Sequence, residues 1–449
     1  MPNQLASAPA LGAFVAGCSA RTFPDDVLDA GRMCLADWMA VAIGAGGEHA
    51  GRIVRQTVAR SGAKGRSTIL FGDTGSALTA ALANGTLAHC LDFDDTHVGS
   101  NTHTSAPVWA AALAMAEALD APESAMLGAF VTGFEVAANL GHGMGQPLTA
   151  RGWHATGVFG RIGAAAAAAA LLELDGEHAG HALALAATQA GGLTGSFGTM
   201  AKPFHAGKAA SDGVLAAELA SAGFEAAPAV LEPGGGLERA LVQDGAVRIK
   251  PVAFARWEIL ANSFKPYAAC HLVHPAVDAA RSIGVPPSDI GRVTVRVSPL
   301  AMQITGHTHG RPSAPLAAKF DLRYCVGLAL HGHRLSARDF VEPWTADQRV
   351  LETAAVVTPS ADPSMGYAAA HLDVERRDGR TISKQIETAK GHPGNPMRWD
   401  DMWDKFDGLV TPRLGRDTEA LFGAIRDLAR DPGRPTLPAI RKSLGALSA

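Results

Sequence analysis

Apolar residues recur at helical spacing over most of the first 280 positions. The pattern opens with Val27, Cys34, Leu35, Trp38, Met39 and Ala42 behind the acidic start Pro24-Asp25-Asp26, which predicts a helix with one buried stripe. The same spacing predicts helices at about 76–91, 107–119, 123–140, 157–174, 178–190 and 207–222, divided by short Gly-rich breaks and with no run of alternating strands. Gly157, Gly160 and Gly163 lead into seven alanines, Ala164 to Ala170. Side chains this small allow close approach from every side, so this helix is expected at the enclosed centre of an α-bundle. A phosphate loop at the same glycines would need a preceding strand, and none is predicted.

The period changes after Gly284. Ile290-Gly-Arg-Val293-Thr-Val295-Arg-Val297 alternates as a half-buried strand should. His371-Leu-Asp-Val374 and Arg380-Thr-Ile382-Ser flank Arg377-Asp378-Gly379, which predicts a hairpin with an Asp-Gly turn. One helix is expected between, from about Pro315 to His331. Gly391-His-Pro393-Gly394-Asn-Pro396 punctuates the end of this segment, and helical spacing returns with Trp403, Phe406 and Leu409, then Leu421, Ile425 and Leu428. The fold class is therefore mainly α. A large all-α domain is formed by both chain ends, residues 1–283 and 392–449, with a smaller α+β domain, residues 284–391, inserted into it.

At 449 residues, 47% hydrophobic and 18% charged, the chain can bury a large core. Its 43 acidic residues exceed its 39 lysines and arginines, so no basic field is offered to a nucleic acid. Cys18, Cys34, Cys90, Cys270 and Cys325 are scattered, odd in number and without a Cys-x-x-Cys pair, which points to a reducing cytoplasm and away from disulfides or zinc ribbons. The N-terminal segment lacks a basic stretch of the secretory type, and no apolar run reaches the ~20 residues of a membrane span. A soluble, unprocessed protein is expected.

Chemistry-bearing residues concentrate in four places. The first, Asn84-Gly-Thr-Leu-Ala-His89-Cys-Leu-Asp92-Phe-Asp94-Asp95-Thr96-His97 with His103 beyond, packs carboxylates and imidazoles too densely for core packing alone. Asp and His suit divalent cations, so a metal-dependent all-α enzyme built on Asp92, Asp94, Asp95 and His97 is one reading, and carboxylates capping a helix turn are another. Arg151-Gly-Trp-His154-Ala-Thr156-Gly157 puts an imidazole and a hydroxyl at a helix N-terminus, where an anion is favoured. Met200-Ala-Lys202-Pro-Phe-His205-Ala-Gly-Lys208 opens another helix, and Ser263-Phe-Lys265-Pro-Tyr267-Ala-Ala-Cys270-His271 completes the set. Together these loops suggest one site for a polyanionic small molecule.

These stretches, AHCLDFDDTH with HTSAPVWAAALAMAE, then GWHATGVFGRIGAAAAAAALL, AKPFHAGKAASDGVLAAELASAGF and FKPYAACH, resemble the MmgE/PrpD family in order and along nearly the whole chain. The family's activities include dehydration of 2-methylcitrate, decarboxylation of cis-aconitate and epimerisation of iminodisuccinate. The resemblance implies a helical domain built from both chain ends, an inserted α+β lid domain, a homodimer and no cofactor. It carries site roles to Asp92, Thr96, His103, His154, Lys202, Lys265 and, in the lid, Tyr324.

Each of those reactions changes a bond beside a carboxylate, and charge spreads onto that carboxylate in the process. Lys202, Lys265, the helix N-terminus after His154 and the Thr96 hydroxyl are candidates to stabilise it. His103 or His154 is expected as the acid or base, Asp92 to orient a histidine, and Tyr324 to arrive as the lid closes. The resulting expectation is a cofactor-independent lyase, a dehydratase or decarboxylase of a small di- or tricarboxylate. The alternatives are an epimerase using the same proton abstraction, the metal-dependent enzyme above, and a non-catalytic carboxylate-binding homologue.

Overall fold

The alanine run forms the helix Ala155–Leu171, and all of its residues but Ala170 are buried. The helices Ser105–Leu119, Glu123–Gly141, Gly176–Thr188 and Ala201–Ser221 pack around it. Alanine and glycine are what this enclosure requires: a methyl on Gly163 would sit 2.6 Å from the Gly133 carbonyl of the neighbouring helix. The computed structural model describes residues 8–245, 247–249, 252, 254–307, 312, 314–340 and 347–448.

Contacts divide the chain into two units, residues 1–263 with 402–449, and residues 264–401. The first is almost entirely helical, adding Asp25–Gly44, His49–Arg60, Ala77–His89 and, near the C-terminus, Thr418–Arg426. Its strands are two-residue pairs: Ser67–Thr68 with Thr74–Gly75, and Thr96–His97 with Asn262–Ser263. The second unit holds a four-stranded sheet in the order Val357–Ala361, Ile290–Val297, Ala370–Arg376, Thr381–Ile386. Ile290–Val297 runs parallel to the first of these and antiparallel to Ala370–Arg376, so Val293 and Val295 face Val374 and Leu372 in a buried layer. The helix His274–Ser282 covers the sheet.

Two expectations need correction. The helix expected from Pro315 to His331 is broken into Pro315–Ala318 and Leu322–Leu330, because Asp321 leaves helical geometry and caps the second piece, accepting from Tyr324 N at 3.0 Å. The strand Val357–Ala361 has no counterpart in the expected pattern, since Pro359 and its shortness hide the alternation. No described helix is long and apolar enough to cross a membrane, and none of the five cysteines is in a disulfide.

A buried ion pair joins the ends of the first unit. Lys405, on the helix Trp399–Leu414, donates to Asp37 Oδ1 at 2.5 Å and to the Phe93 carbonyl at 2.6 Å, and both side chains are 1% exposed. Asp37 Oδ2 accepts from Asp95 N at 2.9 Å. Asp95 accepts in turn from Asn262 at 2.7 Å and from Ser105. Burial and then the charge of Asp37 push Asp95 up to about 7. Breaking a buried pair by removing one partner costs roughly 3–5 kcal/mol, so Asp37→Asn should lower the unfolding free energy by that order. Asp95→Asn, which mimics the neutral acid, should cost about 1 kcal/mol or less. The raised Asp95 stabilises fully below its unfolded value of 3.8 and that stabilisation is lost as pH rises through about 7, so this variant should also lose less stability toward alkaline pH. Denaturant titrations of both proteins across pH check this, and equal costs would refute it.

Candidate active site

The helix Ala77–His89 starts on a Ser76 cap and ends on His89, after which the chain turns through Cys90–Asp95. Asp92 adopts φ +53°, a left-handed conformation that aspartate tolerates better than most residues. Lys202 reaches this turn because the helix Ala201–Ser221 crosses Ala77–His89 at Gly85 and Gly207. A methyl on Gly207 would collide with Thr86 Oγ1 and the Leu82 carbonyl, so only glycine permits the crossing. That helix begins six residues before the expected position 207, with Pro203 tolerated in its first turn.

Lys202 Nζ donates to Asp92 Oδ1 at 2.6 Å. His103 stands between two carboxylates, its Nε2 3.8 Å from Asp92 Oδ1 and its Nδ1 3.1 Å from Asp94 Oδ2 but out of line for a hydrogen bond. Thr156 Oγ1 fixes the backbone there, accepting from His103 N at 3.0 Å. His89 Nδ1 bonds Asp94 Oδ2 at 2.8 Å, and its ring lies 4.6 Å from that of His103 and 5.6 Å from that of His154. His154 precedes the Ala-rich helix, with its Nδ1 3.1 Å from His205 Nδ1. Phe197 meets the His154 ring edge-on at 5.0 Å and lies 5.5 Å below Lys202 Nζ.

Electrostatics separates these groups. Burial holds His89 down to about 4, and burial followed by the charges of His89, Lys202 and His103 holds His154 well below its ordinary value. Both imidazoles are therefore neutral at pH 7. Burial alone would raise Asp94, but His103 and His89 outweigh it and keep that carboxylate far below its usual range. The arrangement offers an ionised acid, a lysine and several imidazoles within reach of one another, which is an inventory for moving protons.

Of the residues singled out from sequence, Asp92, His103, Lys202 and His154 come together. Thr96 lies in the short pair opposite Ser263, and both hydroxyls are buried without a hydrogen-bond partner among the described residues. Lys265 and Tyr324 belong to the second unit, both buried, Tyr324 on the helix Leu322–Leu330. The metal reading on Asp92, Asp94, Asp95 and His97 is not supported, because the four diverge. His97 faces Glu258 at 3.1 Å and Ser100 at 2.8 Å, and Asp95 faces Ser105 and Asn262. Among the described residues, the atoms that do converge within 4.8 Å belong to His89, Asp94 and His103, a set able to hold a divalent cation. His89, His205 and Phe197 are given no site role by the sequence, and Asp94 is given only that of a metal ligand. His89 ends an apolar helix and reads as a core histidine, whereas the Asp-x-Asp spacing and the His of Lys-Pro-Phe-His were visible clues.

His89 supplies a stability prediction. Between pH 6.5 and about 4 the unfolded chain binds its proton first, so stability should fall as pH drops through that window, by up to roughly 3 kcal/mol from this residue. Unfolding followed from pH 7 to 4.5 should show the loss, and His89→Gln should flatten it.

Residues 9–250 match the model of the MmgE/PrpD N-terminal domain, and residues 267–429 that of the MmgE/PrpD C-terminal domain. Among known proteins, the chain is 28% identical over 370 residues to a cis-aconitate decarboxylase of Homo sapiens, covering 78% of this chain and 76% of that one. It is 26% identical over 401 residues to a cis-aconitate decarboxylase of Aspergillus terreus, covering 82% of each. With both domains matched in order along most of its length, the chain belongs to the MmgE/PrpD family.

Proposed function

We propose that this chain is a cofactor-independent lyase acting on a small di- or tricarboxylate, by decarboxylation or dehydration at a carbon beside a carboxylate. The observation that carries the reading is the cluster of Asp92, Lys202, His103, Asp94 and His89, in which a lysine and imidazoles are held against two carboxylates. The relatives named cis-aconitate decarboxylase make cis-aconitate the first substrate to test.

In such a decarboxylation, the bond from carbon to the departing carboxylate breaks and its electron pair stays on the substrate skeleton. Carbon dioxide leaves, and a proton from the enzyme quenches that pair. Lys202 is the fixed cation nearest the turn and would stabilise the charge as it spreads. His103, between Asp92 and Asp94, would deliver the proton, and neutral His154 would accept one in a dehydration. Asp92 orients Lys202 and His103. Thr96, Lys265 and Tyr324 carry the roles that the family resemblance implies.

Convergence of His89, Asp94 and His103 favours a second reading, a metal-dependent reaction through those three. Exhaustive treatment with chelator separates the two, because turnover should survive it, and stoichiometric metal whose removal abolishes activity would favour the second.

Lys202→Ala and His154→Ala should fold normally and lose most turnover. Loss of one stabiliser of developing charge costs roughly 10²–10³ in rate and loss of an acid or base roughly 10²–10⁴. Lys64→Ala, on an exposed loop, should leave turnover unchanged. Incubation in D₂O with cis-aconitate, 2-methylcitrate, citrate and iminodisuccinate, followed by proton NMR, identifies the reaction. Deuterium beside a carboxylate with release of carbon dioxide marks a decarboxylase, loss of water a dehydratase, and inverted configuration an epimerase. No exchange or conversion of any of them by folded protein would overturn the proposal.

A further inference from the structure

Behind the His154–His205 pair lies a cavity of about 420 Å³, within the range of small-molecule sites. Arg161 of the Ala-rich helix, His205, Lys208 and Asp212 of the helix Ala201–Ser221, and the backbone of Gly191 and Gly192 form its walls. Its charge balance is the reverse of that in the cluster beyond His154. There two carboxylates, Asp92 and Asp94, meet one lysine, whereas here two cations share one carboxylate. Asp212 Oδ2 accepts from Arg161 Nε at 3.0 Å, and its Oδ1 pairs with Lys208 Nζ.

The cations are held in place by this sharing, and their donors are not exhausted. Arg161 is 4% exposed, and its Nη1 donates to the Gly157 carbonyl at 2.7 Å. Its other terminal nitrogen makes no hydrogen bond among the described residues. Nor do the amides of Gly191 and Gly192. One unbalanced positive charge, a buried guanidinium with a free edge and two free amides match a carboxylate. Gly192, at φ +108°, thins the wall toward the active site, since a Cβ there would lie 3.2 Å from the His205 ring and 3.3 Å from His154 Cβ.

The pair across that wall couples the two compartments. Two ring nitrogens 3.1 Å apart can hydrogen bond only when one carries a proton and the other does not, so the protonation of His205 and the tautomer of His154 are not independent. Charged and titratable groups facing His205 are Arg161 from the Ala-rich helix, His154 from the residue before that helix, and Lys202, Lys208 and Asp212 from its own, with His89 beyond His154 from the helix Ala77–His89. The 189–192 loop contributes none.

We propose that this cavity binds a small dicarboxylate and that its occupancy is linked to the active site through the His205–His154 hydrogen bond. One carboxylate group neutralises the excess charge, and the second is balanced when His205 takes up a proton from solvent. That proton makes His205 a donor to His154 Nδ1, which leaves the His154 proton on Nε2. The choice of carboxylate among anions rests on the function proposed above, while the cavity and its linkage do not.

Calorimetric titration of the full chain with malonate, at about pH 6 and about pH 8, tests this. Binding should be at least about fivefold tighter at the lower pH, with proton uptake visible as a dependence of the heat on the buffer's ionisation enthalpy. His205→Asn should remove the pH dependence, Lys208→Met should weaken binding about fivefold or more, and Lys202→Ala should retain it. Lys208 is half exposed, so its variant is expected to fold. Inorganic phosphate should bind more weakly than malonate, and tighter phosphate binding would overturn the carboxylate assignment. Absence of malonate binding at millimolar concentration, or binding indifferent to both Lys208→Met and His205→Asn, would overturn the site. Malonate binding with these dependences in a protein that converts no polycarboxylate would refute the lyase reading and leave the cavity standing.

Discussion

Lys405 is the point at which three distant parts of the sequence meet. Its ammonium lies between the Asp37 carboxylate and the Phe93 carbonyl, 4.0 Å from the centre of the Phe93 ring. Asp37 belongs to the first long helix, Lys405 to the segment that returns to the helical unit, and Phe93 to the turn that carries Asp92 and Asp94. A lysine so deeply buried is tolerable only while every partner is present, because an unpaired charge there has no water to fall back on. The position of the turn that carries Asp92 and Asp94 is therefore conditional on the chain having closed on itself.

From that anchor the functional geometry follows in steps. Asp95 is fixed from behind by Asp37, Asn262 and Ser105, which leaves the preceding residues to form the left-handed turn at Asp92. The Gly85–Gly207 crossing sets how near Lys202 comes, and the Ala-rich helix presents His154 from its end. Burial then strips protons from His89 and His154 while Asp94 keeps its charge. Neutral and ionised groups stand side by side because their surroundings differ, although the residue types are ordinary.

Much of this was legible in the sequence, for local reasons. Helical spacing around Trp38, the alanine run after Gly163, the Val293-x-Val295-x-Val297 alternation and the Asp378-Gly379 turn are short-range patterns, and each is found in place. The helix break at Asp321 and the parallel strand holding Pro359 were not legible, since each depends on a cap or a neighbour that no periodicity announces. The same division runs through the site. Asp92, His103, His154 and Lys202 stand out by motif, but Asp37 and Lys405 lie 368 residues apart and resemble an ordinary surface pair on paper. His205 looked like a companion of Lys202, and only the packing of two helices shows that it faces His154.

The Ala-rich helix also constrains how such a protein can change over evolutionary time. A buried leucine can be trimmed to enlarge a cavity, whereas an alanine has almost nothing to trim and a larger replacement collides on every side. The helix thus behaves as a fixed floor, closed to both common routes by which a core admits a new substrate. New specificities on this architecture would have to arise at its margins, in the turn around Asp92 and the Gly-rich loop near Gly192, where backbone can shift without disturbing the helices beneath.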